Sequence, residues 1–462
     1  MGKYFGTDGF RGEVNVELTA WHAYEIGRFL GRYYTEKSAS ACAADGRRRG
    51  RVVIGKDPRR SSYMYEYALS AGLTASGADA YLLHVTTTPS VSYVTRTEDF
   101  DCGIMISASH NPYTDNGIKI FDSLGGKADE KLIGLIEAHL SAAEAGTGAL
   151  PYALGEDVGR TVDFVAGRNR YIGCLISLSK VSFRGLKIGL DCANGASFFI
   201  AKSVFDALGA MTTAIHSAPD GLNINRNCGS THPEDLQKCV LENKLDMAFA
   251  FDGDGDRCIC VDEKGAVRDG DGILYACARY LASLDELDKD TVVATVMSNG
   301  GLFAALEEMG IHTEKTCVGD KYVYERMLET GASLGGEQSG HIIFSKHETT
   351  GDGIVTAIKL AEMTVESKGD FSALFEGLKT YPQTLVNVRV KDKDAVLNAP
   401  SVLAAAEAAE KLLRAHRGRL LLRPSGTEPL VRILAEAEEE KICSAAAESV
   451  RRAIEEARDI KS

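Results

Sequence analysis

Residues 251–257 of this chain read Phe251-Asp252-Gly253-Asp254-Gly255-Asp256-Arg257. The apolar runs 247–251 and 258–261 flank the three aspartates, and both runs are typical of buried strands. An extended backbone would place the three carboxylates on one side, because side chains along it alternate with a period of two. Carboxylates this close repel one another unless a cation neutralises them. The loop therefore predicts a site for a hard divalent cation, and Mg²⁺ serving a phosphate fits it best.

Two other interpretations of this loop compete with the magnesium site. Aspartate and glycine are ordinary turn residues, so a solvated acidic turn would have the same composition. A calcium loop of the EF-hand type would use the same aspartates and place Glu263 at its twelfth position. That loop needs glycine where Arg257 stands, and residues 258–261 have a strand pattern instead. The sequence therefore favours magnesium over calcium.

The composition is that of an ordinary globular protein. Of the 462 residues, 44% are hydrophobic and 25% are charged, and this length predicts about three or four domains. A formal net charge of −13 argues against a general nucleic-acid binder. The sequence has no apolar run of membrane-spanning length and no signal-peptide core, so we expect a cytoplasmic enzyme without membrane partners. The eleven cysteines contain no CxxC pair and are expected to be reduced.

Alternating strand and helix patterns predict three α/β units. The first, 52–106, has the order strand, helix, strand, helix, strand, which predicts a parallel sheet with helical crossovers. The second, 183–252, delivers the aspartates at the end of its last strand, and the third, 258–341, ends in a Gly-Glu-Gln-Ser-Gly-His loop. In such sheets ligands bind at the carboxyl ends of strands. The three polar loops are therefore expected to face a shared cleft.

Two further loops carry candidate chemistry. The first α/β unit leads into Ser107-Ala108-Ser109-His110-Asn111-Pro112. Its Ser109 is a hydroxyl nucleophile that needs a base, a metal or a cationic neighbour such as Lys119 to become reactive, although a plain Ser/Asn-rich turn would look the same. The glycine-rich stretch 5–12 carries Arg11 and suits a loop that approaches a phosphate, although a hairpin turn would use the same glycines.

The C-terminal part, from about residue 381, differs from the rest. It combines a strand, an Ala-rich helix, a polar loop between two apolar strands and a final charged helix. The polar loop presents Arg423, Ser425, Gly426, Thr427 and Arg432. Guanidinium groups and hydroxyls are good donors to a phosphate dianion, so we expect phosphate binding here rather than a surface turn. The basic segment 38–51 is predicted to be an exposed loop.

Taken together, these loops resemble those of the α-D-phosphohexomutase family. Seven segments match family motifs in family order: 5–12, 106–121, 220–235, 251–257, 335–341, 350–354 and 423–432. The resemblance implies three related α/β domains and a smaller α+β C-terminal domain around a central cleft. It places the domains at 1–157, 158–256, 257–378 and 379–462. Gln338 and the segment 223–233 resemble the branch of the family that acts on glucosamine phosphates.

The resemblance also implies a reaction. Ser109 would carry a phosphoryl group, and one Mg²⁺ would be held by Asp252, Asp254, Asp256 and an oxygen on Ser109. Phosphoserine would donate to a sugar monophosphate, and the bisphosphorylated sugar would return its other phosphate. The expected result is interconversion of glucosamine 6-phosphate and glucosamine 1-phosphate for amino-sugar nucleotide and cell-envelope synthesis, with a hexose 1,6-bisphosphate as activator. The alternatives are a phosphomannomutase/phosphoglucomutase and a metal-dependent sugar phosphatase.

Roles for further side chains follow from the same resemblance. The catalytic set would be Ser109, Lys119, His341, Arg11 and Arg257, with Lys119 and His341 as the candidates for general acid/base work. The substrate-binding set would be Glu337, Ser339, Lys321, Arg423, Ser425, Gly426, Thr427 and Arg432. Lys321 stands where this branch usually shows arginine. A homodimer is expected, without nucleic-acid partners.

Overall fold

Four β-sheets organise this computed structural model, which describes residues 2–6, 8–45, 49–424 and 429–457. The chain divides into two compact units, Met1–Val296 with Glu314–Glu376, and Met297–Thr313 with Gly377–Ser462. No helix in the described part is both long and apolar enough to cross a membrane.

The first sheet is predominantly parallel at its centre. Its strands are β1 (Phe10–Glu13), β2 (Arg51–Lys56), β3 (Asp79–Val85), β4 (Cys102–Ile106), β5 (Asp115–Phe121) and β6 (Thr161–Asp163). Their order is β1-β5-β4-β2-β3-β6. The predicted parallel pairing is found for β2, β3, β4 and β6. The strand β5 is antiparallel to β4 and to β1, so the chain turns back sharply after the Ser109 loop.

Five helices accompany this sheet in chain order. They are α1 (Ala20–Asp45), α2 (Arg60–Ala75), α3 (Thr88–Thr97), α4 (Glu130–Glu144) and α5 (Val165–Leu178). The predicted exposed loop at 38–51 is wrong in its first half, because α1 continues to Asp45. The reason is composition: residues 38–44 are serine, alanine and cysteine, and the alanines favour a helix strongly enough to extend it.

The second sheet carries the aspartate loop between two buried strands. Its strands are β7 (Lys187–Asp191), β8 (Met211–Ile215), β9 (Met247–Phe251), β10 (Cys258–Asp262) and β11 (Val267–Arg268), in the order β11-β10-β9-β7-β8. The helices α6 (Ser197–Ala207) and α7 (Glu234–Asn243) belong to the same segment. Because β9 and β10 are antiparallel and buried along their whole length, the aspartate loop is the turn of a buried hairpin.

The third sheet repeats this arrangement. Its strands are β12 (Thr291–Thr295), β13 (His312–Thr316), β14 (Leu334–Gly336) and β15 (Ile342–Phe344), in the order β13-β12-β14-β15. The helices of this segment are α8 (Gly270–Ser283), α9 (Gly300–Glu308), α10 (Asp320–Thr330) and α11 (Gly353–Ser367). The strands β14 and β15 form an antiparallel hairpin whose turn contains Glu337, Ser339 and His341.

The fourth sheet is antiparallel and lies in the second compact unit. It contains β16 (Gln383–Arg389), β17 (Arg419–Pro424) and β18 (Leu430–Glu436) in the order β16-β18-β17, with helices α12 (Lys393–Leu397), α13 (Pro400–Arg414) and α14 (Glu440–Ala457). Short 3₁₀ turns occupy Gly155–Asp157, Gly229–Thr231, Asp288–Asp290 and Phe371–Phe375. The predicted fold class, three α/β segments followed by a smaller α+β segment, is confirmed.

The predicted domain boundaries stay predictions. The strand β6 follows residue 157 but pairs with β3 of the first sheet. In the same way, β10 follows residue 256 but pairs with β9 of the second sheet.

Candidate active site

The nucleophile predicted from the sequence contacts the predicted metal loop. Ser109 follows β4 and is 1% exposed, and its Oγ donates a hydrogen bond to Asp252 Oδ2 at 2.5 Å. Its φ of 51° lies in the left-handed region, which is uncommon for serine and costs roughly 1–3 kcal/mol. The surrounding structure must therefore hold this residue firmly.

The three aspartates form one buried cluster. Asp252, Asp254 and Asp256 are each at most 5% exposed, and one carboxylate oxygen from each lies within 4.8 Å of the others. Among the described residues, Oδ1 of Asp254 and Oδ1 of Asp256 have no hydrogen-bond partner. Buried oxygens without donors are unfavourable unless a cation occupies the site. The donor set therefore fits a hard divalent cation such as Mg²⁺.

The charges in this cluster are unevenly distributed. Burial, together with Asp256 and Asp254, raises the pKa of Asp252 well above its usual range. Burial also works to raise the pKa of Asp256, but the positive charge of Lys119 holds it well below that range. The neighbours of Asp252 thus do not neutralise its negative charge, as expected beside a cation site.

The EF-hand alternative is wrong. Glu263, which would complete a calcium loop, accepts hydrogen bonds from the backbone N–H and the hydroxyl of Ser372 at 3.0 and 2.6 Å. Because the intervening residues form β10, they cannot curl around an ion.

Lys119 is the cation closest to the aspartates. Its Nζ lies 2.9 Å from Asp254, 3.3 Å from Asp256 and 3.2 Å from Asp8. Burial alone would lower the pKa of Lys119, but Asp254, Asp8 and Asp256 together raise it well above its usual value. Lys119 therefore favours its charged form, in contact with Asp254 and Asp256.

Asp8 and Asp320 extend this network, although sequence reasoning assigned them no role. Asp8 pairs with Arg11 and accepts from Lys127 Nζ at 2.7 Å, and Asp320 accepts from Lys127 Nζ at the same distance. A cavity of about 350 Å³ adjoins the network, with Lys119, Lys127 and Lys321 in its lining. The lysines make this cavity suitable for an anionic ligand.

His341 is buried between two carboxylates. Its Nδ1 lies 3.8 Å from Asp256 and its Nε2 lies 3.5 Å from Asp320. Burial lowers its pKa, but Asp256 and Asp320 outweigh this and raise the pKa to about 9. The N–H of Gly351 opposes protonation, because it donates to Nε2 at 2.9 Å and so requires a lone pair there. The ring can therefore carry a second proton only when this contact between Gly351 and Nε2 is broken.

His110 lies beside Ser109, and the predicted catalytic set omitted it. Its Nδ1 lies 3.4 Å from Ser109 Oγ. Burial, followed by the charges of Arg257 and Arg11, lowers the pKa of His110 to about 4, so the ring is neutral near neutral pH. Its position directly after Ser109 was the only signal in the sequence.

Arg257 closes the other side of the aspartate loop. Its backbone N–H donates to Asp252 Oδ1 at 3.2 Å, and its Nε lies 3.9 Å from Asp256 Oδ1. The guanidinium therefore lies beside the carboxylates.

The residues predicted to bind the sugar lie in the β14–β15 turn and at the start of α10. Glu337 accepts from the N–H of Gly319 at 3.0 Å, and Lys321 pairs with Glu130 at 2.8 Å. Ser339 Oγ is buried and has no hydrogen-bond partner within the described residues, so it is available to a ligand hydroxyl.

Gln338 points to a helix cap. Its Nε2 donates to Asp269 Oδ2 at 3.2 Å, and Asp269 Oδ1 accepts from the N–H of Gly272 at the start of α8. The residue that resembles the glucosamine branch thus connects the β14–β15 turn to α8.

The predicted phosphate loop is only partly described. Arg423 and Arg432 lie opposite each other in the register of β17 and β18, in the second compact unit. Ser425, Gly426 and Thr427 lie outside the described residues.

A second group of potential ligands, Asp191, His216 and Cys228, has its atoms within 4.8 Å of one another. Asp191 Oδ1 accepts from the N–H of Ala193 at 2.9 Å, and Oδ2 accepts from the N–H of Gly229 and from His216 Nδ1, both at 3.0 Å. Burial raises the pKa of the Cys228 thiol to about 12. Because Asp191 is already satisfied, we interpret this group as a structural brace at the end of β7.

Comparisons with known proteins find relatives along nearly the whole chain. Four profiles match in order: "Phosphoglucomutase/phosphomannomutase, alpha/beta/alpha domain I" at residues 2–146, domain II at 169–265, domain III at 269–381 and the C-terminal domain at 385–453. The chain is 58% identical over 443 residues to the phosphoglucosamine mutase of Lachnospira eligens, covering 96% of both proteins. It is 55% identical over 450 residues to that of Lachnoclostridium phytofermentans, covering 97% of both.

A solved structure shows the same fold. The phosphoglucomutase/phosphomannomutase family protein from Burkholderia thailandensis matches with a TM-score of 0.79 at 24% identity, covering 99% of this chain and 98% of that one. The profiles and the curated relatives place the chain in the phosphoglucomutase/phosphomannomutase family, to which it belongs over nearly its whole length.

Proposed function

We propose that this enzyme is an intramolecular phosphotransferase that interconverts glucosamine 6-phosphate and glucosamine 1-phosphate. The observation that carries the proposal is the hydrogen bond from Ser109 Oγ to Asp252 within the buried aspartate cluster. Family membership supports the reaction class, and the relatives at 55–58% identity, named phosphoglucosamine mutases, support the sugar. Such a reaction would supply amino-sugar nucleotide and cell-envelope synthesis.

The metal is part of the proposal. One Mg²⁺ per subunit would be held by Asp252, Asp254, Asp256 and an oxygen carried on Ser109, and it would offset the charge of about −1.5 to −2 on a phosphoserine. The two aspartate oxygens without donors support this assignment.

The proposed reaction has two transfers, each of a different phosphoryl group. First, a hydroxyl oxygen of the sugar monophosphate bonds to the phosphorus on Ser109 while the bond from phosphorus to Ser109 Oγ breaks. The hydroxyl proton passes to a basic group of the site, and Oγ regains a proton. In the second transfer Oγ takes the other phosphoryl group of the bisphosphorylated sugar, and the protons move in reverse. A hexose 1,6-bisphosphate would therefore load an enzyme that has lost its phosphate.

The chain's own groups support these steps by charge and position. Lys119 and Arg257 supply positive charge beside the transferring group, which is how phosphoryl transfer is mostly catalysed. Lys119 and His341 are our candidates for general acid and base, and the neutral His110 is a third group within reach of Ser109.

Substrate binding is assigned by resemblance and by available donors. Glu337 and Ser339 would hold sugar hydroxyls, and Lys321 would contribute charge to substrate binding. Arg11 would instead offset the charge of the phosphoserine. Phosphate binding is assigned to Arg423, Arg432 and the loop 425–427.

The test is a direct assay. Purified protein is mixed with glucosamine 6-phosphate, Mg²⁺ and a catalytic amount of hexose 1,6-bisphosphate, and glucosamine 1-phosphate is followed by ³¹P NMR. Parallel assays use glucose and mannose 6-phosphates. We expect conserved total sugar phosphate and the highest kcat/KM for glucosamine 6-phosphate.

Other outcomes identify the alternatives. A large preference for glucose or mannose 6-phosphate would indicate a phosphoglucomutase/phosphomannomutase. Inorganic phosphate released in step with substrate loss would indicate a phosphatase, because a mutase conserves the ester.

A further inference from the structure

Two backbone carbonyls of the Ser109 loop are each held by the same two side chains. The oxygens of Ser109 and Asn111 accept from Arg59 Nη2 at 3.1 and 2.7 Å, and from Asn225 Nδ2 at 2.8 and 2.9 Å. Arg59 immediately precedes α2, whereas Asn225 lies between β8 and α7, next to the second sheet. We call these four hydrogen bonds the carbonyl clamp.

The clamp holds a conformation that serine does not favour. Ser109 has a φ of 51°, and such strain persists only where the surroundings over-determine the backbone. The N–H of Ser109 also donates to Ser107 Oγ at 3.0 Å, and the N–H of Asn111 donates to the Ala108 carbonyl at 3.1 Å. With its amide and carbonyl groups bound, the loop keeps Ser109 Oγ directed at Asp252.

Arg59 anchors the clamp to the first sheet. Its side chain is fully buried, pairs with Asp57 and donates to Ser107 Oγ at 3.3 Å. This half of the clamp is therefore attached to the sheet that carries the nucleophile.

Asn225 anchors the clamp to the second sheet. Its N–H donates to the carbonyl of Ala193 at 2.9 Å, and Asp191, at the end of β7, accepts from the N–H groups of Ala193 and Gly229. The strand β7 is the parallel neighbour of β9, which delivers the aspartates. Asn225 therefore connects the nucleophile loop to the same sheet that holds the carboxylates.

We propose that Asn225 is a positioning residue for phosphoryl transfer, whose amide sets Ser109 Oγ against the aspartates by holding the carbonyls of Ser109 and Asn111. The inference rests on the proposed function only in that Ser109 carries the phosphoryl group, and it is independent of which sugar is used. Asn225 belongs to the segment 223–233, which resembles the glucosamine branch. The contacts assign this residue to the nucleophile and not to the sugar.

Two substitutions remove the side-chain amide of Asn225 without straining the backbone at this position. Asn225→Gly removes the amide while allowing the positive φ of 57°, because glycine adopts that region without strain. Asn225→Asp replaces the donor by an oxygen that faces two carbonyls. Asn227 provides matched controls, since it lies in the same loop with a φ of 50° and is exposed. The control variants are Asn227→Gly and Asn227→Asp.

Two measurements are made on each full-length variant with Mg²⁺ present. The first is the rate at which dephosphorylated enzyme gains one phosphate from a hexose 1,6-bisphosphate, followed by intact mass. The second is kcat and KM for glucosamine 6-phosphate. We expect both Asn225 variants to lose about 10- to 100-fold in phosphate gain and in kcat, as for a misplaced reacting group, with KM within about twofold of wild type. The Asn227 variants should match wild type, and melting temperatures should agree within about 3 °C between matched pairs.

The outcomes separate this inference from the proposed function. A wild-type enzyme that gains no phosphate would refute the proposed function itself. If wild type gains phosphate and the Asn225 variants keep pace with their Asn227 counterparts, the positioning role is wrong. A raised KM with unchanged kcat would instead place Asn225 at the sugar and overturn the inference.

Discussion

Ser109 Oγ donates to Asp252 Oδ2 over 2.5 Å, although 143 residues separate them in the chain. The two residues follow strands of different sheets, so neither sheet alone provides the contact. The hydroxyl therefore meets negative charge only because the first two α/β segments pack together.

Replacing Ser109 by alanine should abolish mutase activity. Removing the nucleophile removes the covalent step, and we expect kcat to fall by at least about four orders of magnitude. Intact mass should show no phosphate gain from a hexose 1,6-bisphosphate. The exposed Ser123 serves as a control, and Ser123→Ala should retain wild-type activity. Phosphate gain by the Ser109 variant would place the phosphoryl carrier elsewhere.

Replacing Asp254 by asparagine should weaken Mg²⁺ binding and catalysis together. Its Oδ1 is one of the buried acceptors without a donor, and replacing the charged carboxylate by a neutral amide should lower kcat by about 10²–10³-fold. Chelation should inactivate wild type, and added Mg²⁺ should restore it. Calorimetric titration with Mg²⁺ measures the affinity, with Asp285→Asn on the surface as control. Wild-type affinity in the Asp254 variant would exclude it as a ligand.

Replacing Gln338 by methionine should slow the enzyme without changing its sugar preference. The amide of Gln338 binds Asp269 at the cap of α8, so its loss removes one hydrogen bond that supports the Glu337 turn. One such bond contributes about 1 kcal/mol, which corresponds to about fivefold in kcat/KM. The fall should be equal for glucosamine and glucose 6-phosphates. A change of about tenfold or more in their ratio would show that Gln338 contacts the sugar.

Replacing His216 by glutamine should lower stability mainly on the acidic side. The bond to buried Asp191 raises the pKa of His216 above its usual value of 6.5. A raised pKa means that the folded state binds the proton more tightly than the unfolded chain does. The stabilisation is therefore complete below pH 6.5 and is lost as the pH rises through the raised pKa.

Melting temperatures measured across this pH range test the sign. The difference between wild type and His216→Gln should shrink as the pH rises. The exposed His232 provides the control, and His232→Gln should show no such trend. A difference that grows towards alkaline pH would contradict the charged pair.

The strands around the aspartate loop could be predicted closely from the sequence. The apolar run 247–251 coincides with β9, and 258–261 lies within β10. Buried strands covered on both faces have continuous apolar sequences, so the signal was local and strong. The antiparallel strand β5 was not predicted, because pairing direction depends on contacts far away in the chain.

The sequence indicated individual residues of the candidate site better than the contacts between them. Lys127 and Asp320 lie 193 residues apart and form their ion pair only in the folded chain. Single charged residues show no periodicity in the sequence, so nothing there indicates that these two pair. Gln338 shows a second limit of prediction from the sequence. Glutamine at position 338 indicated a role in the choice of sugar. In the structure its side-chain amide instead donates to Asp269, and only coordinates define the direction of an amide.

Ser109 and the three aspartates follow strands of different sheets, and the ribosome therefore makes them at different times. Domains generally fold from the N-terminus as the chain emerges. A nascent chain that ends before Asp252 already contains Ser109 but none of the three carboxylates that surround it in the finished enzyme. Until the hairpin of β9 and β10 has been translated, an incomplete polypeptide therefore presents the Ser109 hydroxyl without the carboxylate that it contacts in the complete fold.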